Sequence, residues 1–394
     1  MSDTKTTDQS RYAARGVSAA KEDVHAAVKD LEKGLYPNTF CKVFPDLLAG
    51  DDSQCNLMSS DGSGTKSAIA YLYWKETGDV SVWEGISEDV IVMNLDDLLC
   101  TGATNNFIFT SVINRNKHLI PGEVISALIR GSANFFDRMN DLGISIKYVG
   151  GETADLGDLV RTITVDGSMT VRMPRTNVVK NEIRPGQVIV GLASNGKASY
   201  ESEYNSGIGS NGLTSARHDV LSKHYATHYP ESFDPNTDQQ FVYSGKHRLT
   251  DPLEGTPLNI GKALLSPTRS FAPVVKNVLD ELPGKIQGMV HCTGGAQTKV
   301  LHFMDRYHVI KDNLFATPAL FELIQTDTQT DWSEMYKVFN MGNRLEFYVD
   351  EEYAQTIIDI AKGFNIESQI IGRVEDSEKA KVSVVTEHGT FEYE

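Results

Sequence analysis

The sequence predicts an α/β (α+β) protein of two domains, each a sheet covered by helices. Strand-like runs alternate with helical ones through both halves of the chain, as layered sheet-and-helix domains require. The alternation breaks once, between Pro174 and Pro185, where Pro, Arg, Asn and Lys replace any periodicity. With 394 residues the chain is long enough for two cores of ordinary size. The expected layout is a flexible N-terminal arm over 1–16, a first domain over 17–173 and a second over 174–394.

Apolar content of 40% and charged content of 23% are those of a globular protein in water. A net charge of −16 leaves no basic stripe for a nucleic-acid backbone, so nucleic acid is excluded as a partner. The four cysteines are scattered, without a C-x-x-C pair, which fits buried thiols in a reducing compartment. No apolar run approaches the ~20 residues of a membrane helix, and the polar start lacks a signal-peptide core; a cytoplasmic location is expected, with no membrane partner.

In chain order, Val24, Ala27, Val28 and Leu31 share one face of a helix over 22–33, from which Lys29 and Lys33 emerge. After a glycine-rich turn, residues 68–74 read as a buried helix. Residues 90–93 form an apolar run into an acidic turn at Asp96-Asp97. Residues 107–113, rich in β-formers, predict a strand. Pro121-Gly122 opens a helix with Val124, Ile125, Leu128, Ile129, Phe136 and Met139 at helical spacing, ended near Gly143. Strands follow at 144–149 and 162–173. In the second half, strands at 187–193 and near Gln287, Leu345, Ile370 and Val382 alternate with helical patterns at Phe271, Lys299 and Glu351. Residues 225–261 are polar with several Pro and Gly and read as a long surface insertion, and the histidines clustered in and just before it, His218, His224, His228 and His247, read as solvated.

Three acidic turns carry the chemistry. They are Ser60-Asp61-Gly62-Ser63-Gly64-Thr65-Lys66, Asn94-Leu95-Asp96-Asp97 and Val149-Gly150-Gly151-Glu152-Thr153. If they converge, each pair of carboxylates repels by roughly 4 kcal/mol at 4 Å in an effective dielectric near 20, and a cation must offset it. Hard oxygen donors without clustered His or Cys suit Mg²⁺, which bridges to substrate phosphates. Glycines allow backbone N–H groups to approach those phosphates, and a helix opening near Lys66 adds its positive end. The turns therefore predict a metal–nucleotide site. It is not a Walker loop, because no Gly stands four residues before Gly64-Thr65-Lys66-Ser67. Gly207-Ile208-Gly209-Ser210-Asn211-Gly212 matches the dinucleotide fingerprint formally, but its strand ends too early; a phosphate-binding helix start fits as well. His291, abutting Thr293-Gly294-Gly295, is a candidate polar group beside a second such turn.

Taken together, these stretches resemble the phosphoribosylformylglycinamidine cyclo-ligase (AIR synthetase) family, as a divergent subgroup. The similarity also rests on Pro267-Thr268-Arg269 and on Met335-Tyr336-Lys337-Val338-Phe339-Asn340-Met341-Gly342. It implies two α/β domains, the N-terminal ones joining as a dimer barrel, the C-terminal one an α/β sandwich. It implies that Asp61, Asp97 and Glu152 hold Mg²⁺ and that Gly62, Ser63, Gly64, Thr65, Lys66 and Gly151 bind ATP. Lys29, Asp61, Asp97 and His291 are the implied catalytic residues; Ser210, Asn211, Gly212, Thr293, Gly294 and Asn340 would face the substrate, formylglycinamidine ribotide. The implied reaction phosphorylates the formyl amide oxygen from ATP. Attack by the amidine nitrogen then closes the imidazole ring of aminoimidazole ribotide and releases ADP and phosphate, a step of purine synthesis.

The chain departs from the family at Ser63, usually Val; at Asp96, usually Asn; and at Gly209, where a His is customary. The loop over 199–208 is also longer. These departures leave two alternatives open: a nucleotide-binding paralogue without turnover, and another ATP-dependent synthetase of the superfamily.

Overall fold

The computed structural model describes Arg15, Ala27 and residues 31–394. Most of the arm and of the helix expected over 22–33, Lys29 included, lies outside these residues. Within that stretch Arg15 is buried and makes a two-pronged ion pair with Asp219, at 2.8 and 2.7 Å.

The first domain is a five-stranded sheet of β1 (Val43–Pro45), β2 (Gln54–Gly62), β3 (Phe107–Arg115), β4 (Ile146–Asp155) and β5 (Ile163–Pro174), in the order β1-β2-β5-β3-β4. β3 and β4 are parallel, and the remaining pairs are antiparallel. Period-two burial sets the register. Along β5, Ile163, Val165, Met169, Val171 and Met173 point inward, whereas Thr164, Asp166 and Arg172 point to the opposite face. Helices α1 (Lys66–Thr77), α2 (Val82–Leu99) and α3 (Gly122–Asp141) complete the domain. α3 keeps the expected face with Val124, Leu128, Phe136 and Met139 buried, but Ile129 is exposed.

α2 corrects the sequence reading, because residues 90–97 are not an apolar run ending in a turn but the second half of one continuous helix. All of it is buried except Glu84, Glu88 and Asp97, since it runs between the first sheet and the second domain. A helix covered on every side carries no amphipathic signature. The Gly150-Gly151-Glu152 stretch is likewise no turn; it lies within β4, at the edge of the sheet.

The second domain is a seven-stranded sheet ordered β12-β11-β8-β10-β6-β9-β7, with β6 (Val188–Ala193), β7 (Gly288–His291), β8 (His308–Lys311), β9 (Asn343–Val349), β10 (Ser368–Glu375), β11 (Lys381–Thr386) and β12 (Gly389–Tyr393). Its helices are α4 (Leu213–Val220), α5 (His224–His228), α6 (Ile260–Leu264), α7 (Ala272–Glu281), α8 (Ala319–Thr328), α9 (Trp332–Val338) and α10 (Ala354–Gly363). Residues 225–261 are not a loose surface insertion. Tyr225, Val242, Tyr243, Leu249, Leu253 and Ile260 are buried, and the segment is tied to α1 through Tyr225 and Arg248 to Glu76 and through Asn259 to the Tyr73 hydroxyl at 3.1 Å. No helix among the described residues is long and apolar enough to cross a membrane.

The domains are pinned together at Lys66. Its ammonium is fully buried and donates to Asp89 Oδ1 at 2.7 Å, to the Ser266 carbonyl at 2.6 Å and to the Gly209 carbonyl at 3.2 Å. Removing one partner of a buried pair leaves the other charge unpaired, at a cost of roughly 3–5 kcal/mol. Lys66→Met should therefore lower the unfolding free energy by about that amount, read as a drop in the urea midpoint.

His218 is also not solvated. It is buried and its Nδ1 accepts from the Tyr243 amide at 3.2 Å, so the ring proton sits on Nε2. Burial, with Arg217 and Arg15 nearby, pulls its pKa down to about 2. The unfolded ring takes a proton near 6.5 and the folded ring refuses it, so stability falls as pH drops from about 6.5, by up to ~1.4 kcal/mol per pH unit. Urea midpoints measured from pH 7.5 to 5 should show this decline, and His218→Asn should make it shallower by one proton.

Candidate active site between the two domains

Asn94, Asp96 and Asp97 sit near the C-terminal end of α2 and point in different directions. The Asn94 amide donates to the Val90 carbonyl at 2.8 Å and to the Asp61 carbonyl at 3.3 Å, which ties the end of β2 to this helix. Asp96 is fully buried against the second domain, where it accepts from the Ser270 hydroxyl at 2.8 Å, the Phe271 amide at 3.3 Å and Arg344 at 3.4 Å. Asp97 keeps an open side and takes His291 Nδ1 on Oδ1 at 2.9 Å.

His291 ends β7 and is buried. Its Nε2 lies 2.9 Å from an Arg344 guanidinium nitrogen. A guanidinium only donates, so Nε2 accepts, the proton is on Nδ1, and Nδ1–H donates to Asp97. Burial, with Arg344 beside it, pushes the imidazole pKa down and keeps the ring neutral. Burial pushes the Asp97 carboxyl up, against the opposing pull of Lys299 and Arg344. The mouth of the site therefore holds a carboxyl of raised pKa, backed by a neutral N–H donor and faced by an ammonium. Such a group can hold a cation or exchange a proton near neutral pH.

The glycine-rich turn contributes only in part. Asp61 lies on the helix-covered face of β2, close enough to His291 to act on its charge, and its Oδ1 accepts from the Gly62 amide at 2.7 Å. Gly64, at φ 53°, faces open space. Ser63 is buried and hydrogen-bonded to Ser67 at 2.7 Å, and Thr65 reaches Thr214 of the second domain at 2.9 Å. Lys66, committed to Asp89 and two carbonyls, is a structural cation and not a phosphate ligand.

On the other domain, Thr293 donates to Asn211 at 2.9 Å, with Gly294 alongside. The Ser210 hydroxyl lies 3.3 Å from that of Thr268. Gly212 stands at φ 75°, where a Cβ would strike the Phe339 ring at 2.3 Å, so glycine is required to start α4. Asn340 is spent on the scaffold: its Oδ1 accepts from Ser194 and from the Gly342 amide, both at 2.9 Å, and its Nδ2 donates to the Gly207 carbonyl at 2.8 Å. It shapes the 207–212 loop rather than facing a ligand.

Glu152 and Gly151 stand apart. Asp61, Gly167, Ser111 and Gly151 lie in one row across four strands, which puts Gly151 about 14 Å from Asp61. Glu152 pairs with Val112, on the face turned away from the helices. The three carboxylates therefore do not meet within one chain, and among the described residues no group of three His, Cys, Asp or Glu could hold a metal ion. Asp61 and Asp97 remain, a donor set that suits Mg²⁺ only when a substrate phosphate completes it. Gly151 is needed for packing, since a Cβ there would lie 2.0 Å from the Ser111 carbonyl oxygen. Lys33 is exposed.

Sequence reasoning missed Arg344, Lys299 and Asn94. Every residue of β9 is buried, so Arg344 within it requires a partner of opposite charge, but that burial is visible only in the folded sheet.

Residues 44–173 match the family described as AIR synthase related protein, N-terminal domain, and residues 254–385 match its C-terminal domain. Relatives named phosphoribosylformylglycinamidine cyclo-ligase include one from Staphylococcus carnosus, 28% identical over 90% of this chain and 94% of that protein, and one from Desulfotalea psychrophila, 26% identical over 98% and 100%. A third, from Methanocaldococcus jannaschii, is 28% identical over 82% of this chain and 78% of that protein. Similar folds occur in the structure of the HypE-HypF complex, with TM-score 0.57 and 16% identity over 96% of this chain and 99% of the other, and in thiamine monophosphate kinase from Aquifex aeolicus, with TM-score 0.54 and 11% identity over 94% and 97%. Both domain matches fall in order along one chain, and the chain belongs to the AIR synthase related family.

Proposed function

We propose that the protein is a phosphoribosylformylglycinamidine cyclo-ligase, closing the imidazole ring of aminoimidazole ribotide at the expense of ATP in purine synthesis. The observation that carries the reading is the 2.9 Å pairing of Asp97 with His291 near the Thr293-Gly294 turn, with Asp61 within electrostatic range of that imidazole, in a chain that aligns along nearly its whole length with relatives of that name. Asp61 and Asp97 would hold Mg²⁺ on the ATP phosphates. The metal would neutralise charge on the transferred phosphoryl group, the main demand of such chemistry. Gly62, Gly64 and the Ser210-Asn211 loop would line the cleft, with Thr293 oriented by Asn211 toward the ribotide. The location would be cytoplasmic, consistent with four cysteines that are all buried free thiols.

We further propose that the protein works as a homodimer. The face of the first sheet away from the helices is bare and partly apolar, with Met58, Ile108, Val112 and Val149 exposed. A second copy laid on it would cover that patch and bring its own sheet to Glu152, which would then serve a site built by both chains.

Incubation with ATP, Mg²⁺ and formylglycinamidine ribotide should release ADP and yield an aminoimidazole with the diazo colour reaction. Binding by calorimetry with no ADP release would instead mark a paralogue without turnover. Asp61→Asn and Asp97→Asn should each lower turnover by ~100-fold or more with the far-ultraviolet circular dichroism unchanged; normal rates in both would remove the site assignment. Ile108→Lys together with Val112→Glu should convert a dimer to a monomer in sedimentation velocity.

A further inference from the structure

Asp96, Arg344, His291 and Asp97 form a line of four polar groups running from the interior to the cleft. Three of them are almost completely shielded, with side-chain exposures of 0% for Asp96, 4% for Arg344 and 1% for His291, while Asp97 keeps 20%. Arg344 is held from two sides. Its guanidinium lies 3.4 Å from Asp96 Oδ2 and sits over the Phe271 ring, 5.0 Å from the centroid. Asp96 is itself fixed by Ser270 and the Phe271 amide. The pair is therefore rigid, and it presents a donor that cannot become an acceptor to one nitrogen of His291.

We propose that Arg344 is a positioning residue: anchored by Asp96, it locks His291 as the Nδ1–H tautomer, so that the imidazole donates to Asp97 and aims the second carboxylate oxygen of Asp97 at the cleft. Both imidazole nitrogens are then committed, one to Arg344 and one to Asp97. His291 is a second positioning residue and not the group that takes a proton from the substrate. The arrangement also accounts for a carboxylate at position 96. A lone Asp96 would add a buried negative charge beside Asp97, whereas Asp96 paired with Arg344 adds none. The role assigned to Asp97 in the cleft rests on the cyclo-ligase reading; the tautomer of His291 does not.

The test uses the full-length protein labelled with ¹⁵N in its histidines, at neutral pH, with His291→Asn assigning the resonance. The wild-type ring should show the Nδ1–H pattern. Arg344→Met alone would strand the Asp96 charge and endanger folding, so the informative variant is Asp96→Asn combined with Arg344→Met. There the Nε2–H form should gain a substantial share, and Arg344→Lys should restore the wild-type pattern. Nδ1–H persisting in the double variant, or Nε2–H already present in the wild type, overturns the proposal. For the ring-closing reaction the double variant should lose about 10–100-fold in kcat with KM for ATP little changed, as for residues that orient a ligand from behind. Arg344→Lys should recover most of it. A tautomer shift in a protein that turns over no ribotide would uphold the positioning role and reject the cyclo-ligase assignment.

Discussion

Everything in the site is built around the burial of Asp89. One of its carboxylate oxygens accepts from Lys66 at 2.7 Å, from the Thr268 amide at 2.8 Å and from the Thr268 hydroxyl at 2.5 Å, with Ser210 at 3.4 Å. A buried carboxylate is tolerated only when its partners stay in place. These partners come from α1 and from two loops of the second domain, so the demand of one charge fixes the distance between domains. Lys66 also holds the Gly209 and Ser266 carbonyls, which sets the 207–212 loop and the approach to α7. The same lysine that reads as a phosphate ligand in sequence is what keeps the cleft walls together.

α2 transmits that constraint to the chemistry. It carries Asp89 near its middle and Asp96 and Asp97 two turns on, so the pin and the polar line at the cleft belong to one rigid rod. Because the rod is covered on nearly all sides, rotation would drive Asp89 or Asp96 into apolar surroundings. Asp97 is thereby left as the carboxylate that can reach the opening.

The fold was legible where one face of an element meets water. The β5 alternation and the α3 stripe both report a two-sided environment, and both elements lie where the pattern put them. The reading failed where an element is surrounded. α2 has no polar face, so residues 90–97 passed for an apolar run ending in an acidic turn, and the buried polar side chains Lys66, His218 and Asn340 passed for surface or ligand groups. Local sequence cannot distinguish a polar group aimed at a ligand from one satisfied by a distant carbonyl, because Lys66 and Ser266 are 200 positions apart. Asp97 and His291, which the fold pairs at 2.9 Å, stood out in the sequence because an acidic pair and a glycine turn flagged them. The pairing of Asp96 with Arg344, 248 positions away, left no local trace.

Glu152 shows how a motif can be present while the convergence expected of it within one chain is not. The glycines beside it have a packing reason, since Gly151 must let β4 close on the Ser111 carbonyl, and that would explain the motif without any ligand. Yet the carboxylate itself has no such reason. It points from the edge strand, beside exposed Val112 and Val149, onto the bare face of the sheet. Opposite-face placement is incompatible with sharing a cation with Asp61 of the same chain, however the intervening loops move, because the two residues belong to one hydrogen-bonded sheet with fixed pleat. On the proposed reading, in which both carboxylates serve one nucleotide, they could unite only across a second copy, which would make the apolar patch and the acidic residue two parts of one requirement.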